Sequence, residues 1–397
     1  MKIAFLSEKY TPDIGGLAIS TERLARLLAS AGYAHAVRVF SPTPNLLPSE
    51  KRTLTHTGVS VTRFGPHKRV DDTLVDWFEL IVEEHKLMPF DVLHAYFLTQ
   101  AGFIATYAGK YLNIPSVVSI RGNDIERAVF DPSRFSHTLY ALQNANAVTT
   151  NASELVKKAK AFFEREIILI PNGVDTEHFK PMEKNHILAE TLGLKTLDSG
   201  SLLPDIQQQA VGLQRPVIGF VGELRAKKGL MTLLNAYATI NKRQPASLLV
   251  VGDIRQGEDK QVFDEFRISN PDSQIIVTGF ISPKDLPAYY SLIDIFVHPS
   301  LRDGMPNAVL EAMACEKAVV ATPVGGVLDI LEDGKNGVIV KANDATMLAE
   351  KILELLDNPE KQALLGKNAR ELIVNRFTPE KELEANLDVY QGLGIHL

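Results

Sequence analysis

Short β-branched runs alternate with amphipathic stretches along almost the whole chain. Apolar runs at 2–7, 36–41, 59–64, 91–97, 115–120, 147–151 and 167–171 have the length and composition of buried strands. The segments between them carry helical spacing. Over 20–31, Leu24, Leu27 and Leu28 fall on one face, and Glu22, Arg23 and Arg26 on the other. The rhythm breaks over 176–215, a polar stretch containing Pro181 and Pro204. It resumes at 216–222 and continues through 247–252, 274–279, 294–298, 317–321 and 337–340. Three helical patterns close the chain, at about 344–357, 359–375 and 379–392. Alternation of this kind predicts an α/β fold with parallel sheets: two Rossmann-like, doubly wound domains joined near 173–215. Two such domains are expected to face a central cleft at the carboxyl ends of both sheets, where ligands of open α/β sheets bind.

Composition narrows the class. At 397 residues the chain has room for two or three domains of about 150 residues. The net charge of −6 provides no global basic field for nucleic acid or an anionic membrane. The single cysteine, Cys315, excludes a disulfide scaffold and argues against a cysteine zinc cluster. It sits in Ala312-Met313-Ala314-Cys315 and reads as a small buried side chain. The opening run Lys2–Ser7 is too short for a signal sequence, and no apolar stretch approaches the ~20 residues of a membrane span. The expected location is the cytoplasm, with peripheral contact at the inner face of the membrane left open.

Chemistry is sought just after the strands. Pro12-Asp13-Ile14-Gly15-Gly16 precedes the first helix, and paired glycines let backbone amides approach a phosphate; a plain tight turn is the alternative. The run at 91–97 carries His94, Tyr96 and Phe97 at its end, and the next strand ends in Arg121-Gly122-Asn123-Asp124. Arg121 and Asp124 suit a ligand or a structural pair equally well. Gly222-Glu223-Leu224-Arg225-Ala226-Lys227-Lys228-Gly229 puts three cations in four residues, enough to neutralise a diphosphate, although a solvated loop produces the same pattern. His298-Pro299-Ser300-Leu301-Arg302-Asp303-Gly304-Met305-Pro306-Asn307 leads from a strand through a glycine turn into a helix. Inside that helix Glu311 stands among Leu310, Ala312 and Met313, where an ionised carboxylate needs partners. A ribose diol or an internal cation would serve. Gly325-Gly326, with Asp329 after it, repeats the logic of the first glycine pair. The chain holds no G-x-G-x-x-G, no G-x-x-x-x-G-K-[ST] and no D-x-D. Those absences argue against a dinucleotide oxidoreductase, a P-loop NTPase and a metal-dependent single-domain glycosyltransferase.

In this order and spacing the motifs resemble the retaining glycosyltransferases of family 4, or group 1, with the GT-B fold. The resemblance runs from Met1 to about residue 357. It rests on Gly15-Gly16, on Pro171-Asn172-Gly173-Val174-Asp175, on Phe220 to Gly229, on Asp303 and Glu311 as the E-x7-E element, and on Val324-Gly325-Gly326. It implies an acceptor-side domain over 1–175 and a nucleotide-sugar-binding domain over 176–376, with 176–215 as a linker. It also implies a last segment, 377–397, that crosses back to the first domain. Lys228 is then expected on the donor diphosphate, Glu311 on the ribose, and the Asp303-Gly304-Met305-Pro306 loop on the transferred sugar. Gly15, Gly16, Gly222, Asn307, Gly325 and Gly326 complete the donor set. Asp303, Arg225, Lys228 and His94 are the catalytic candidates, and Arg121 and Asp124 the sugar or acceptor contacts. Two departures stand out: Glu223 replaces the usual Arg, with Arg225 two residues later, and Arg121-Gly122 replaces a usual His-Gly.

The function expected is metal-independent, retaining transfer of a sugar from a UDP-, GDP- or ADP-sugar to an unidentified acceptor, without a cofactor or nucleic-acid partner. An epimerase of the same fold and a non-catalytic nucleotide or carbohydrate binder are the rivals. Acceptor selection is expected in loops at 43–57, 65–72 and 126–136.

Overall fold

A computed structural model describes residues 1–13, 15–194 and 215–396. Ile14 of the first glycine loop and Pro204 of the linker lie outside the described residues. The chain forms two compact units, Met1–Gly173 with Pro379–Leu397, and Val174–Thr378.

The first unit is built on strands β1 (Lys2–Ser7), β2 (Ala36–Pro42), β3 (Lys51–His56), β4 (Val59–Phe64), β5 (Val92–Tyr96), β6 (Ser116–Ile120), β7 (Ala147–Thr150) and β8 (Ile168–Leu169). They pair in the order β3-β4-β2-β1-β5-β6-β7-β8, and only the β3–β4 pair is antiparallel. Alternate β1 side chains enter opposite cores, because successive residues of a strand point to opposite faces. Ile3 and Phe5 pack with Leu24, Leu28, Leu387 and Tyr390. Ala4 and Leu6 pack with Trp77, Ile81, Ile104 and Leu142. Each fully buried side chain of this size contributes roughly 1.5–3 kcal/mol.

Strand β3 corrects the expectation of a loop over 43–57. Its sequence Lys51-Arg52-Thr53-Leu54-Thr55-His56 is exposed throughout and carries no apolar run. It pairs with β4 through Thr57-Gly58, both at positive φ (49° and 77°), as a tight hairpin requires.

The second unit carries β9 (Val217–Val221), β10 (Ser247–Val251), β11 (Gln274–Val277), β12 (Ile295–His298), β13 (Ala318–Ala321) and β14 (Val338–Ile339). Their order is β11-β10-β9-β12-β13-β14, and every neighbouring pair is parallel. Ile218, Phe220, Leu248 and Val250 face the helices Leu230–Arg243 and Ala345–Leu356. Val217, Val221, Leu249 and Val251 face the helices Asn307–Ala314 and Pro359–Arg376. In each sheet the strand order reverses once along the chain, between β1 and β5 and between β9 and β12. A crevice opens outside the carboxyl ends at such a point.

Candidate active site

In the second unit the switch point is flanked by Gly222, which follows β9, and by His298, which ends β12. Three loops are tied together there. Leu301 N–H donates to Lys227 O at 2.9 Å, Thr322 N–H to His298 O at 3.1 Å, and Gly326 N–H to Gly304 O at 2.8 Å. Two glycines make this approach possible. A Cβ on Gly229 (φ 80°) would stand 2.0 Å from Pro299 O, and one on Gly325 (φ 60°) 2.1 Å from Gly304 O. Gly222 is also at positive φ (126°).

Inside this knot Lys228 Nζ donates to Asp303 Oδ2, the two side chains being 22% and 17% exposed. Asp303 Oδ1 accepts from Gly304 N–H at 3.0 Å. His298, buried at the end of β12, places Nε2 3.1 Å from Asp303 Oδ2, but outside hydrogen-bond geometry. Burial would raise the Asp303 pKa. The Lys228 charge and His298 outweigh it and hold the carboxyl far below the ordinary carboxylate range. Burial lowers the His298 pKa against the pull of Asp303, so its ring is neutral near pH 7. Among the described residues, His298 Nδ1 and Ser300 Oγ are buried without a hydrogen-bond partner.

Pro306 caps the helix Asn307–Ala314, with Met305 buried beneath it. Glu311 Oε2 accepts from the Tyr290 hydroxyl at 2.8 Å, and that hydroxyl also lies 3.2 Å from Ala308 O. Burial, then the Glu311 charge, pushes the Tyr290 pKa well up, so the phenol stays a donor. Arg225 Nη1 is 3.2 Å from Glu223 Oε2, so the acid that replaces the usual Arg pairs with the cation two residues later.

In the first unit Gly15 (φ 134°) precedes the helix Gly16–Ser30, and a Cβ on either Gly15 or Gly16 would meet nothing within 4 Å. Of the residues expected at the ends of β5 and β6, His94, Tyr96 and Asp124 are instead packed inside. His94 is fully buried and stacked on Phe5; Nδ1 lies 2.6 Å from the Tyr390 hydroxyl and Nε2 2.8 Å from Ser119 Oγ. Burial, then the Arg121 charge, lowers its pKa to about 3. Asp124 is fully buried and accepts from the N–H groups of Leu98, Arg121, Gly122 and Ile125 at 2.8–3.2 Å. Burial raises its pKa to about 6 against those four bonds. The Arg121 side chain leaves Asp124 alone; Nη1 donates to Asn172 Oδ1 at 3.0 Å and the guanidinium sits 4.0 Å over the Tyr96 ring.

A family model for group 1 glycosyl transferases matches residues 204–372, and one for glycosyltransferase family 4 matches residues 14–178. The chain belongs to the group 1, family 4 glycosyltransferases. An uncharacterised glycosyltransferase of Methanocaldococcus jannaschii is 25% identical over 97% of this chain and 96% of its own. Two solved structures share the GT-B fold. Sucrose-phosphate synthase from Thermosynechococcus elongatus superposes with a TM-score of 0.79 at 22% identity, covering 99% of each chain. Anabaena HepE, solved with UDP, gives 0.77 at 19% identity, covering 99% of this chain and 100% of its own.

For this glycosyltransferase the structure brings Lys228, Asp303, Gly304 and Gly325-Gly326 together in one loop knot. It puts His94 and Asp124 in the interior of the first unit. Sequence reasoning did not single out Tyr290, which has no local signal because it meets Glu311 only through packing. It also passed over Glu8, although Glu8 directly follows β1 and the rule about carboxyl ends points at that position. Among the described residues no group of three or more His, Cys, Asp or Glu side chains is placed to hold a metal ion, and no helix is long and apolar enough to cross a membrane.

Proposed function

We propose that the enzyme transfers a sugar from a nucleoside-diphosphate sugar to a hydroxyl acceptor with retention of anomeric configuration, and without a metal. The observation that carries this is the Lys228–Asp303 pair inside the knotted loops at the second unit's switch point. A cation held by a carboxylate that stays ionised is preorganised for the charge that grows on a departing diphosphate. Glu311, steadied by Tyr290, accepts from the ribose hydroxyls. As the bond from anomeric carbon to diphosphate oxygen breaks, the acceptor oxygen bonds to that carbon on the same face. The acceptor proton passes to the leaving phosphate oxygen. His94 and Asp124 enter this reading as groups that fix the first unit's strand ends, not as groups that handle a proton.

Resemblance to HepE, whose structures include complexes with UDP and with UDP-glucose, puts UDP-glucose first in the donor panel. Incubation with UDP-, GDP- and ADP-sugars and a set of hydroxyl acceptors tests the reading. Nucleoside diphosphate released only when acceptor is present supports it. Donor isomerised without an acceptor, or bound with no turnover across the panel, overturns it.

A further inference from the structure

The first unit has an open pocket of about 490 Å³, within the size range of small-ligand clefts, lined by Glu8, Phe97, Thr99, Asn123, Arg127 and Arg134 among others. Its place is the first unit's own switch point: Glu8 follows β1 and Phe97 follows β5, the two strands between which the sheet order reverses. Phe97 has φ 93°, a conformation a bulky residue rarely adopts, and such strain concentrates at binding and catalytic positions.

The polar groups are unevenly committed. Glu8 Oε1 accepts from Thr99 Oγ1 and from Gln100 N–H at 3.1 Å, which fixes the carboxylate at the pocket wall. Among the described residues Glu8 Oε2 has no hydrogen-bond partner. Asp131 caps the helix Pro132–Asn144 through Ser133 N–H at 3.0 Å and pairs with Arg134 at 3.4 Å. Glu126, the neighbouring acid, is taken by Lys158. Arg127 alone of the pocket's charged side chains makes no ion pair or side-chain hydrogen bond among the described residues. A planar guanidinium with no internal anion matches an external phosphate or carboxylate in two-point geometry.

We propose that this pocket binds the acceptor, and that the acceptor carries an anionic group, phosphate or carboxylate, close to its hydroxyls. Arg127 takes the anion and Glu8 Oε2 accepts from a hydroxyl. This rests on the transfer reading above, and the experiment separates the two.

Full-length wild type, Arg127→Gln and Glu8→Gln are titrated calorimetrically with glucose, glucose 6-phosphate and glucuronate, and each with UDP, GDP and ADP. Wild type should bind glucose 6-phosphate or glucuronate at least tenfold more tightly than glucose, and the comparison of the two shows which anion fits. Arg127→Gln should erase that preference and leave nucleotide affinity within twofold of wild type. Glu8→Gln should weaken all three sugars alike. Wild type that binds a nucleoside diphosphate but treats the three sugars alike, or binds none, overturns the proposal while the transfer reading stands. A preference that survives in Arg127→Gln also overturns it. Wild type that binds no nucleoside diphosphate fails the transfer reading itself.

Discussion

At the scale of single residues, two carboxylates of the second unit play different parts because their surroundings differ. Glu311 meets a neutral phenol, so its charge is not cancelled by a formal cation at that contact. Glu311→Gln keeps the shape and still accepts from Tyr290, but it loses the charge and one acceptor oxygen. Nucleoside diphosphate affinity should fall by about 1–3 kcal/mol, with little change in ligand-free melting. Calorimetric titration and thermal melting of the same variant check both halves, and unchanged affinity would end the ribose assignment. Asp303 instead meets Lys228 directly. Asp303→Asn should destabilise the protein by roughly 1–3 kcal/mol at pH 7, because Lys228 is left without its partner. The sign of the pH dependence follows from a folded-state pKa below the unfolded value of about 3.9. The stabilisation is fully present above that value and is lost as pH falls toward the folded value. The gap between wild type and variant should stay flat from pH 8 to about 5 and narrow below about 4; denaturation at a series of pH values measures it.

At the scale of elements, the segment Pro379–Gly392 belongs to the first unit's core although it ends the chain. Leu383, Leu387 and Tyr390 fill the same cluster as Ile3 and Phe5. Apolar area supplies most of that attachment, and Glu382 sets its register. The Glu382 carboxylate accepts from Arg23 Nε at 2.8 Å and Nη2 at 3.0 Å, and from Gly173 N–H at 2.8 Å. One buried acid thereby ties together the first helix, the last helix and the Pro171-Asn172-Gly173 turn. Removing one partner of such a pair leaves a charge poorly solvated, so Glu382→Gln should cost about 3 kcal/mol in urea denaturation. A loss below about 0.5 kcal/mol would mean that the apolar face alone holds the helix. The period-3.6 pattern over 379–392 announced this helix in the sequence. Its partners lie more than two hundred positions away, and no local pattern names them.

At the scale of the whole molecule, the net charge of −6 means that any attraction for a diphosphate is local. Lys228 provides it in the proposed mechanism. Transfer should therefore persist in excess EDTA, and loss of activity restored by Mg²⁺ or Mn²⁺ would refute the metal-independent reading. An α-linked donor should yield an α-linked product from the first turnovers, because leaving group and acceptor share one face. An NMR time course that begins with the β-anomer would refute retention.

Periodicity in the sequence determined the α/β class and the position of nearly every buried strand, because a strand covered on both faces must be apolar along its length. It was silent on β3, whose exposed polar residues need satisfy only an edge pairing. The ordered motifs from Gly15-Gly16 to Val324-Gly325-Gly326 carried the family resemblance, and Gly229 and Gly325 among them mark places where one backbone must come close to another. Only tertiary structure decided which polar residues stay at the rim and which go inside. His94 and Asp124 look like site residues by position, yet the first lies between Tyr390 and Ser119 and the second under four backbone amides. Glu223 departs from the family pattern and pairs with Arg225 two residues later. Burial and pairing are set by neighbours far apart in the chain, and a linear pattern records a residue's own polarity without recording what will neutralise it.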